Sequence, residues 1–540
     1  MVVLSVLMGW AASAGAQGIA DRAVSPHTIF VGSAAEDYLR YLQTLGLASP
    51  NTLWSARPLT PEQVRRMAPA DTGHPWSGTG ELVATTRKVR GVVIEIAPAR
   101  VLTWYSAAYP FGFNDGAVWV GRGLTASAEF GVALSAGPIS ATLAPTAFLA
   151  QNQPYPLMAN GGTGDSTLND PYFLGGVDNP QRFGRGAYGR FDLGQSTIRA
   201  DLLGFTLGVS SANEWWGPMV DFPYILSNNA PGLPRFFAGS SRPWKVPFGR
   251  AHGRLIYGRA GPSPIGASTR AADARFVSGL IGVFQPNAFP GLEIGGARLL
   301  HAAWPDSGLS LFYFTHVLEG FLKKNIKKVF QPVTDEPNES ADNQLASLFV
   351  RWSAPRSGFE MYAEFGREDH SWDSRDLIVE PDHSSTVGLG VRKAWISSVD
   401  AVDAIQLEGV SLLPNHLGRH RGEGSYYLHG NSAGGHTNVG QLMGAGIAAS
   451  GAAGTSFHWS RVRPSGSAKV SMFRFVRIDE APADVQYAVG YALTSRRSPR
   501  LTISGGVTAM YELNRHLARD VFNVQLRAGA EWRPQPGSGH

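Results

Sequence analysis

The chain has no cysteine. Disulfides and thiolate-ligated metal centres are thereby excluded, as is a cysteine nucleophile. It also has little net charge: 47 basic and 42 acidic residues give +5 over 540 residues, and the basic residues are scattered. Nucleic acid, which needs a concentrated positive surface, is not an expected partner. After the N-terminus no segment approaches the roughly 18 continuous apolar residues of a spanning helix. A helical membrane protein is excluded, which leaves a secreted soluble protein or an outer-membrane β-barrel. The sequence has no phosphate-cradling glycine loop and no Gly-x-Ser-x-Gly elbow, and His429 and His436 have no recognisable third ligand beside them. No metal, no cofactor and no catalytic residue is therefore assigned.

What the chain does have is 64 Gly, 35 Pro and 14 Trp, and two kinds of periodicity. The first residues form an apolar core ending in Ala14-Gly15-Ala16, a small-x-small cleavage pattern. The expectation is an exported protein, with a signal peptide over 1–16 and Gln17 the first mature residue. Next, Ser33 and Glu36 form a capping box ahead of Tyr38, Leu39, Leu42 and Leu45 on one helical face. Thr60-Pro61-Glu62-Gln63 repeats the logic ahead of Val64 and Met67. Two or three short amphipathic helices are predicted over 17–80, too short to be stable unless they pack on something larger.

From about Glu81 the period becomes two. Leu124, Ala126, Ala128, Phe130, Val132 and Leu134 point one way, and Thr125, Ser127, Glu129, Gly131 and Ser135 the other. The same alternation recurs around turns at Gly137-Pro138, Leu203-Gly204, Ser353 to Gly358 and Arg496 to Pro499. The last strand places Phe522, Val524, Leu526, Ala528, Ala530 and Trp532 on one face. Apolar-out strands with many tryptophans suit a barrel whose aromatic residues lie at the membrane interfaces. The barrel is expected over 81–533, with a tail over 534–540. Short turns mark its periplasmic end, so the segments 151–195, 212–250 and 367–384 are predicted outer loops.

Five stretches carry a family resemblance: "FNDGAVWVGRG", "GRFDLGQSTIRADLLGFTLGVSSANEWWGP", "LSNNAPGLP", "YAEFGREDHSWDSRDLIVEPDHS" and "GGHTNVGQLMGAG". Together and in this order they resemble the Wzi-type capsule assembly proteins, with Met219 in place of the glycine expected after "WWGP". The resemblance implies a transmembrane antiparallel outer-membrane β-barrel of about 18 strands with a small N-terminal periplasmic helical bundle. It also implies a non-enzymatic, lectin-like role at the surface of a Gram-negative-type bacterium. The implied partners are capsular or extracellular polysaccharide, outer-membrane lipid and the capsule export machinery.

A sugar site needs flat apolar surfaces beside amide and carboxylate groups. Asn213, Glu214, Trp215, Trp216, Asn228 and Asn229 supply these within one predicted outer loop, although girdle tryptophans and an asparagine turn would read the same way. Arg182 and Arg185, with Arg235 and Arg242, are candidates for pairing with acidic sugars. Asp369, His370, Trp372 and Asp373 bring carboxylates beside a ring, a density that by itself sets no glycosidase geometry. The alternative function is a porin whose lumen is lined by Glu129, Arg199, Asp201, Arg351, Glu360 and Glu364.

Overall fold

The computed structural model describes residues 26–67, 85–172, 176–265, 274–306, 308–319, 342–368, 374–413, 426–428, 434–448, 452–478 and 482–534. The expected signal peptide lies outside them, as do Asp369, His370, Trp372, Asp373 and His429.

The described chain forms a closed antiparallel barrel of 18 strands. In chain order the strands are β1 (Val92–Ser106), β2 (Gly123–Ala136), β3 (Ile139–Leu143 with Thr146–Ala150), β4 (Tyr188–Asp192 with Thr197–Leu202), β5 (Phe205–Ser210) and β6 (Arg235–Ser240 with Trp244–Val246). They continue as β7 (Gly249–Ala260), β8 (Arg275–Pro286), β9 (Leu292–Ala303), β10 (Asp342–Ala354), β11 (Phe359–Glu368) and β12 (Ser385–Ser398). The last six are β13 (Ala401–Ser411), β14 (Ala453–Arg463), β15 (Gly466–Ile478), β16 (Asp484–Arg496), β17 (Leu501–Arg515) and β18 (Arg519–Trp532). Closure is made by β18 on β1, from Gln525 opposite Ser106 to Trp532 opposite Ala99. A closed sheet leaves no unpaired edge in hydrocarbon, which is why a barrel can cross a membrane.

The outward face is the one that alternation predicts. Leu124, Phe130, Leu134, Leu348, Met361, Phe365, Phe522, Leu526 and Trp532 are exposed around the outside, while Glu360, Glu364 and Asn523 are buried within. An apolar exterior over a polar lumen wall makes this an outer-membrane barrel. The turns at 137–138, 203–204, 355–358 and 497–500 all lie at one end, the periplasmic end by their shortness. Gly204 closes its two-residue turn at φ 91°, a conformation open to glycine at no steric cost.

Two helices stop that end. Helix α1 (Ala34–Thr44) is capped by Ser33, whose Oγ accepts from the Glu36 amide at 3.2 Å, while the Glu36 carboxylate accepts from Gly32 rather than Ser33. Helix α2 (Pro61–Met67) has a complete reciprocal box: Gln63 N donates to Thr60 Oγ1, and Thr60 N donates to Gln63 Oε1 at 2.8 Å. Tyr38, Leu39, Leu42, Val64 and Met67 share one apolar cluster with Ala394, Val402, Ala404 and Val462 of the barrel wall. Arg40 donates to Glu360, and Arg351 bridges Glu360 and Glu293 at 2.8 and 2.7 Å, all fully buried. The helices are thus seated in the periplasmic mouth and continuous with its lining.

The predicted outer loop 212–250 is corrected. The chain goes back through the wall as β6, so the loop is 211–234 and Arg242 lies at the periplasmic end. A β-strand recrosses because "RFFAGS" has the period-two pattern, overlooked beside the Pro- and Asn-rich run before it.

Candidate functional site

The segment 211–234 does not stand out into water. It folds into the lumen, where Trp216, Met219, Phe222, Tyr224, Ile225, Leu226 and Leu233 form one apolar cluster with the inward-facing Phe237, Ile256, Val277, Ile281, Leu299, Leu345, Phe349 and Val410. Trp215-Trp216 pairs antiparallel with Ala56-Arg57 of the N-terminal arm, so the two plugging segments hold each other. The wall has sockets for this plug. A Cβ added to Gly279 would sit 2.6 Å from the Trp216 ring, one at Gly388 2.6 Å from Met219 Cε, and one at Gly366 would overlap the Tyr224 ring. Met219, the departure from the family pattern, is the side chain that fills the Gly388 socket.

Glu214 ties the plug to the wall. Its carboxylate accepts from Arg235 at 2.6 Å, from Arg254 at 2.7 Å and from Trp216 Nε1 at 3.0 Å, all within the buried interior. Burial pushes this carboxyl upward, but Arg254 and Arg235 outweigh it and hold the group below the usual carboxylate range. Trp215 Nε1 donates to the Met219 carbonyl at 2.9 Å, and the Arg57 guanidinium lies 4.7 Å over its ring. Asn213 Nδ2 donates to the Ala230 carbonyl at 2.8 Å. With Trp215 3% and Trp216 0% exposed, neither ring offers a face to a ligand in this conformation. The carboxylate and indoles noted in the sequence are the internal frame of the plug.

Asn228 and Asn229 hold a second inward turn. The Asn228 carbonyl accepts from Gly116, and Asn229 Oδ1 accepts from Asn114 N at 3.2 Å. Asn114 Nδ2 in turn donates to the Asp221 carbonyl at 3.1 Å. The turn around Asp115 separates an outer cleft from an inner chamber of about 280 Å³ that reaches the periplasmic ends of β15 to β18. Burial pushes the Asp115 carboxyl above its ordinary range, against the pull of Arg527 and the Phe113 amide.

The outer cleft has two adjoining lobes. One, of about 230 Å³, is lined by Phe113, Asp115, Trp119, Asn179, Asn229 and Gln441. The other, of about 200 Å³, is lined by Tyr155, Asp170, Tyr172, Gln181, Asp484 and Arg515. Arg477 lines both. Arg477 and Arg515 converge on the buried Glu512, which Arg515 contacts at 2.8 Å, and Arg515 lies 4.0 Å over the Tyr109 ring. The guanidiniums are therefore held in place, while Tyr172 is 42% exposed at the cleft edge. Amides, carboxylates and fixed guanidiniums beside aromatic faces can bind a polyol through its hydroxyls and its C–H face.

Of the other sequence candidates, Arg182 is buried and holds Asn152 and the Arg185 carbonyl at 2.6 and 2.9 Å, a tie within the outer loop. Arg185 is exposed, 3.1 Å from the likewise exposed Asp165. Sequence reading missed Tyr172, Asn179, Arg477 and Arg515. The charges at strand tops beside short outer turns, Arg477 and Arg515, were the available signal.

No family model and no curated protein matches the chain. Among solved structures it is similar to Wzi, an outer-membrane protein involved in group 1 capsule assembly in Escherichia coli and described as a carbohydrate-binding β-barrel. The two share 12% identity with a TM-score of 0.62, over 94% of this chain and 99% of that one. A BenF-like porin from Pseudomonas fluorescens Pf-5 gives 9% identity and a TM-score of 0.40 over 82% of this chain and 99% of that one. OccK1 from Pseudomonas aeruginosa gives 10% and 0.39 over 81% and 97%. At these identities the likeness is one of fold, and the fold is that of the Wzi barrel.

Proposed function

We propose that the protein is a lectin-like outer-membrane barrel that holds capsular or extracellular polysaccharide at its outer mouth and promotes its assembly or attachment at the cell surface. The observation that carries this reading is the pairing of a lumen filled by the chain's own residues 211–234 with an outer cleft lined by amides, carboxylates, guanidiniums and tyrosines. A filled barrel is suited to serve as a scaffold, and the chemistry is concentrated where a surface polymer would meet it. That the similar barrel Wzi is described as carbohydrate-binding supports the same reading. Catalysis forms no part of it. The diffusion-channel alternative has less support, because 211–234 fills the lumen in one apolar cluster with the wall and helix α1 ties up Glu360 and Arg351 through Arg40 and Gln43.

Within this proposal Asn229 lines the cleft and Arg185 is an exposed contributor from the outer loop, while Asn213, Glu214, Trp215, Trp216, Asn228 and Arg182 act as framework. Asp369, His370, Trp372 and Asp373 stay proposed contributors from the connection that follows β11. The test is equilibrium binding of the detergent-solubilised barrel to the host's purified surface polysaccharide, beside Tyr172→Ala and Asp170→Asn variants of equal thermal stability. Saturable binding weakened in the variants supports the proposal. Absence of binding by the parent protein overturns it for that glycan, and an open lumen in a liposome-flux assay would then favour the channel.

A further inference from the structure

The barrel carries a polar and aromatic structure on its outside, where lipid is expected. Tyr257, Phe276 and Arg298 alternate with the inward Ile256, Val277 and Leu299, so they lie on the lipid-facing wall near the outer ends of β7, β8 and β9. Residues 308–319 are laid over them. Phe314 packs on Tyr257 and Phe276 with ring centroids 5.1 and 6.0 Å away, Tyr313 lies 5.3 Å from Phe276, and Trp304 lies 6.2 Å from it. Tyr257 Oη donates to the Phe314 carbonyl at 2.5 Å. Beneath the strap, Arg298 Nη1 donates to the carbonyls of Val317 and Glu319 at 3.2 and 2.6 Å. The strap thus satisfies a guanidinium that the wall would otherwise present to hydrocarbon.

Its outer side is unlike its inner side. Leu311 is 78% and Leu318 63% exposed, on a surface whose surroundings are the outer leaflet. Arg259, on the same outward face of β7 as Tyr257, is exposed, lies 5.6 Å over the Trp304 ring and makes no ion pair among the described residues. A cation held at the outer interface over an aromatic shelf calls for an anion at headgroup depth.

We propose that this exterior shelf is a docking site for a phosphorylated glycolipid of the outer leaflet. Acyl chains lie against Leu311, Phe314 and Leu318, and a phosphate group meets Arg259. The site is on the outer wall, away from the cleft assigned to polysaccharide, so either proposal can fail without the other.

The test uses the full-length barrel in detergent and a fluorescent diphosphoryl lipid A, titrated by anisotropy beside its dephosphorylated form. The parent barrel is expected to prefer the phosphorylated lipid. Arg259→Gln should reduce that affinity roughly fivefold, the size of one interfacial charge, and leave the dephosphorylated lipid unchanged. Leu311→Ser with Leu318→Ser should weaken both lipids. Equal affinity of the parent for the two lipids overturns the proposal, as does an Arg259→Gln barrel with parental binding. Phosphatidylglycerol competing as well as lipid A would overturn the glycolipid assignment. Arg259 is exposed, and heat-dependent gel migration confirms that each variant is a folded barrel.

Discussion

Removing the Glu214 carboxylate should release the plug. In Glu214→Ala, the guanidiniums of Arg235 and Arg254, with side chains 2% and 4% exposed, lose the anion that accepts from them at 2.6 and 2.7 Å. Arg235 keeps the Leu233 and Ala212 carbonyls and Arg254 keeps the Pro58 carbonyl, so hydrogen bonds survive but the charges are uncompensated. Breaking one side of a buried ion pair costs about 3–5 kcal/mol. Because Trp216 also loses its Nε1 acceptor and pairs with Ala56, the loss should loosen both plugging segments. Urea titration of the refolded barrel by tryptophan fluorescence, with limited proteolysis mapping cuts to 211–234, measures this. A cost below about 1 kcal/mol with no new cleavage would refute the role given to Glu214. A triple variant with Leu at 214, 235 and 254 separates charge from packing. Replacing a whole buried ion cluster by apolar residues is often near neutral, so this variant should recover most of the loss.

The same carboxyl sets a pH dependence. Glu214 is held below its ordinary range, so its stabilisation is complete above the unfolded-state carboxylate value and is lost as pH falls through the depressed folded value; protease sensitivity of 211–234 should rise on acidification and be flat from pH 6 to 8, and an acid-insensitive plug would contradict this. Gly388→Val places atoms where Met219 Cε sits and should cost about 1–3 kcal/mol, read as a lower urea midpoint that Met219→Ala partly restores. Leu348→Arg, at the middle of β10 on the lipid face, should cost about 2–4 kcal/mol of barrel stability in bilayers, whereas an unchanged midpoint would mean this face does not meet lipid. Ser33→Ala removes the α1 cap and should cost about 1 kcal/mol, detectable in the same titration.

Much of the scaffold was legible because its signals are local. Alternation in "LTASAEFGVALS" assigns lipid to Leu124 and Phe130 whatever the rest of the chain does, since a strand has only two faces. The caps at Ser33 and Thr60 are bonds within four residues: the Thr60 box forms in full, and at Ser33 the side-chain cap forms while the Glu36 carboxylate turns to Gly32. The strands β7 to β9 carry a further local signal of the filled lumen. Ile256, Val277, Ile281 and Leu299 are apolar on the face that should be polar, which marks a wall covered on both sides.

The outer cleft was not legible in the same way. Arg477 and Tyr172 are far apart in sequence, and no spacing rule brings a strand top and a distant loop to one cavity. The resemblance pointed to a sugar-binding surface, and "NEWWGP" had the residue types for it. An Asn-Glu-Trp-Trp run is equally suited to bind a sugar or to frame a plug, because its side chains carry both hydrogen-bonding groups and large apolar faces.

The sequence by itself determined strands with one apolar face, which side chains lie on that face, and that capped helices precede them, while a soluble β-fold stayed open beside a membrane barrel. These follow from period, capping and the absence of long apolar runs. Tertiary structure alone decided that 211–234 turns inward. The preference for the lumen exists only once the closed wall supplies Gly279, Gly388 and Gly366 as sockets and Arg235 and Arg254 as partners, so that burial of Trp216 and of the Glu214 charge becomes favourable together.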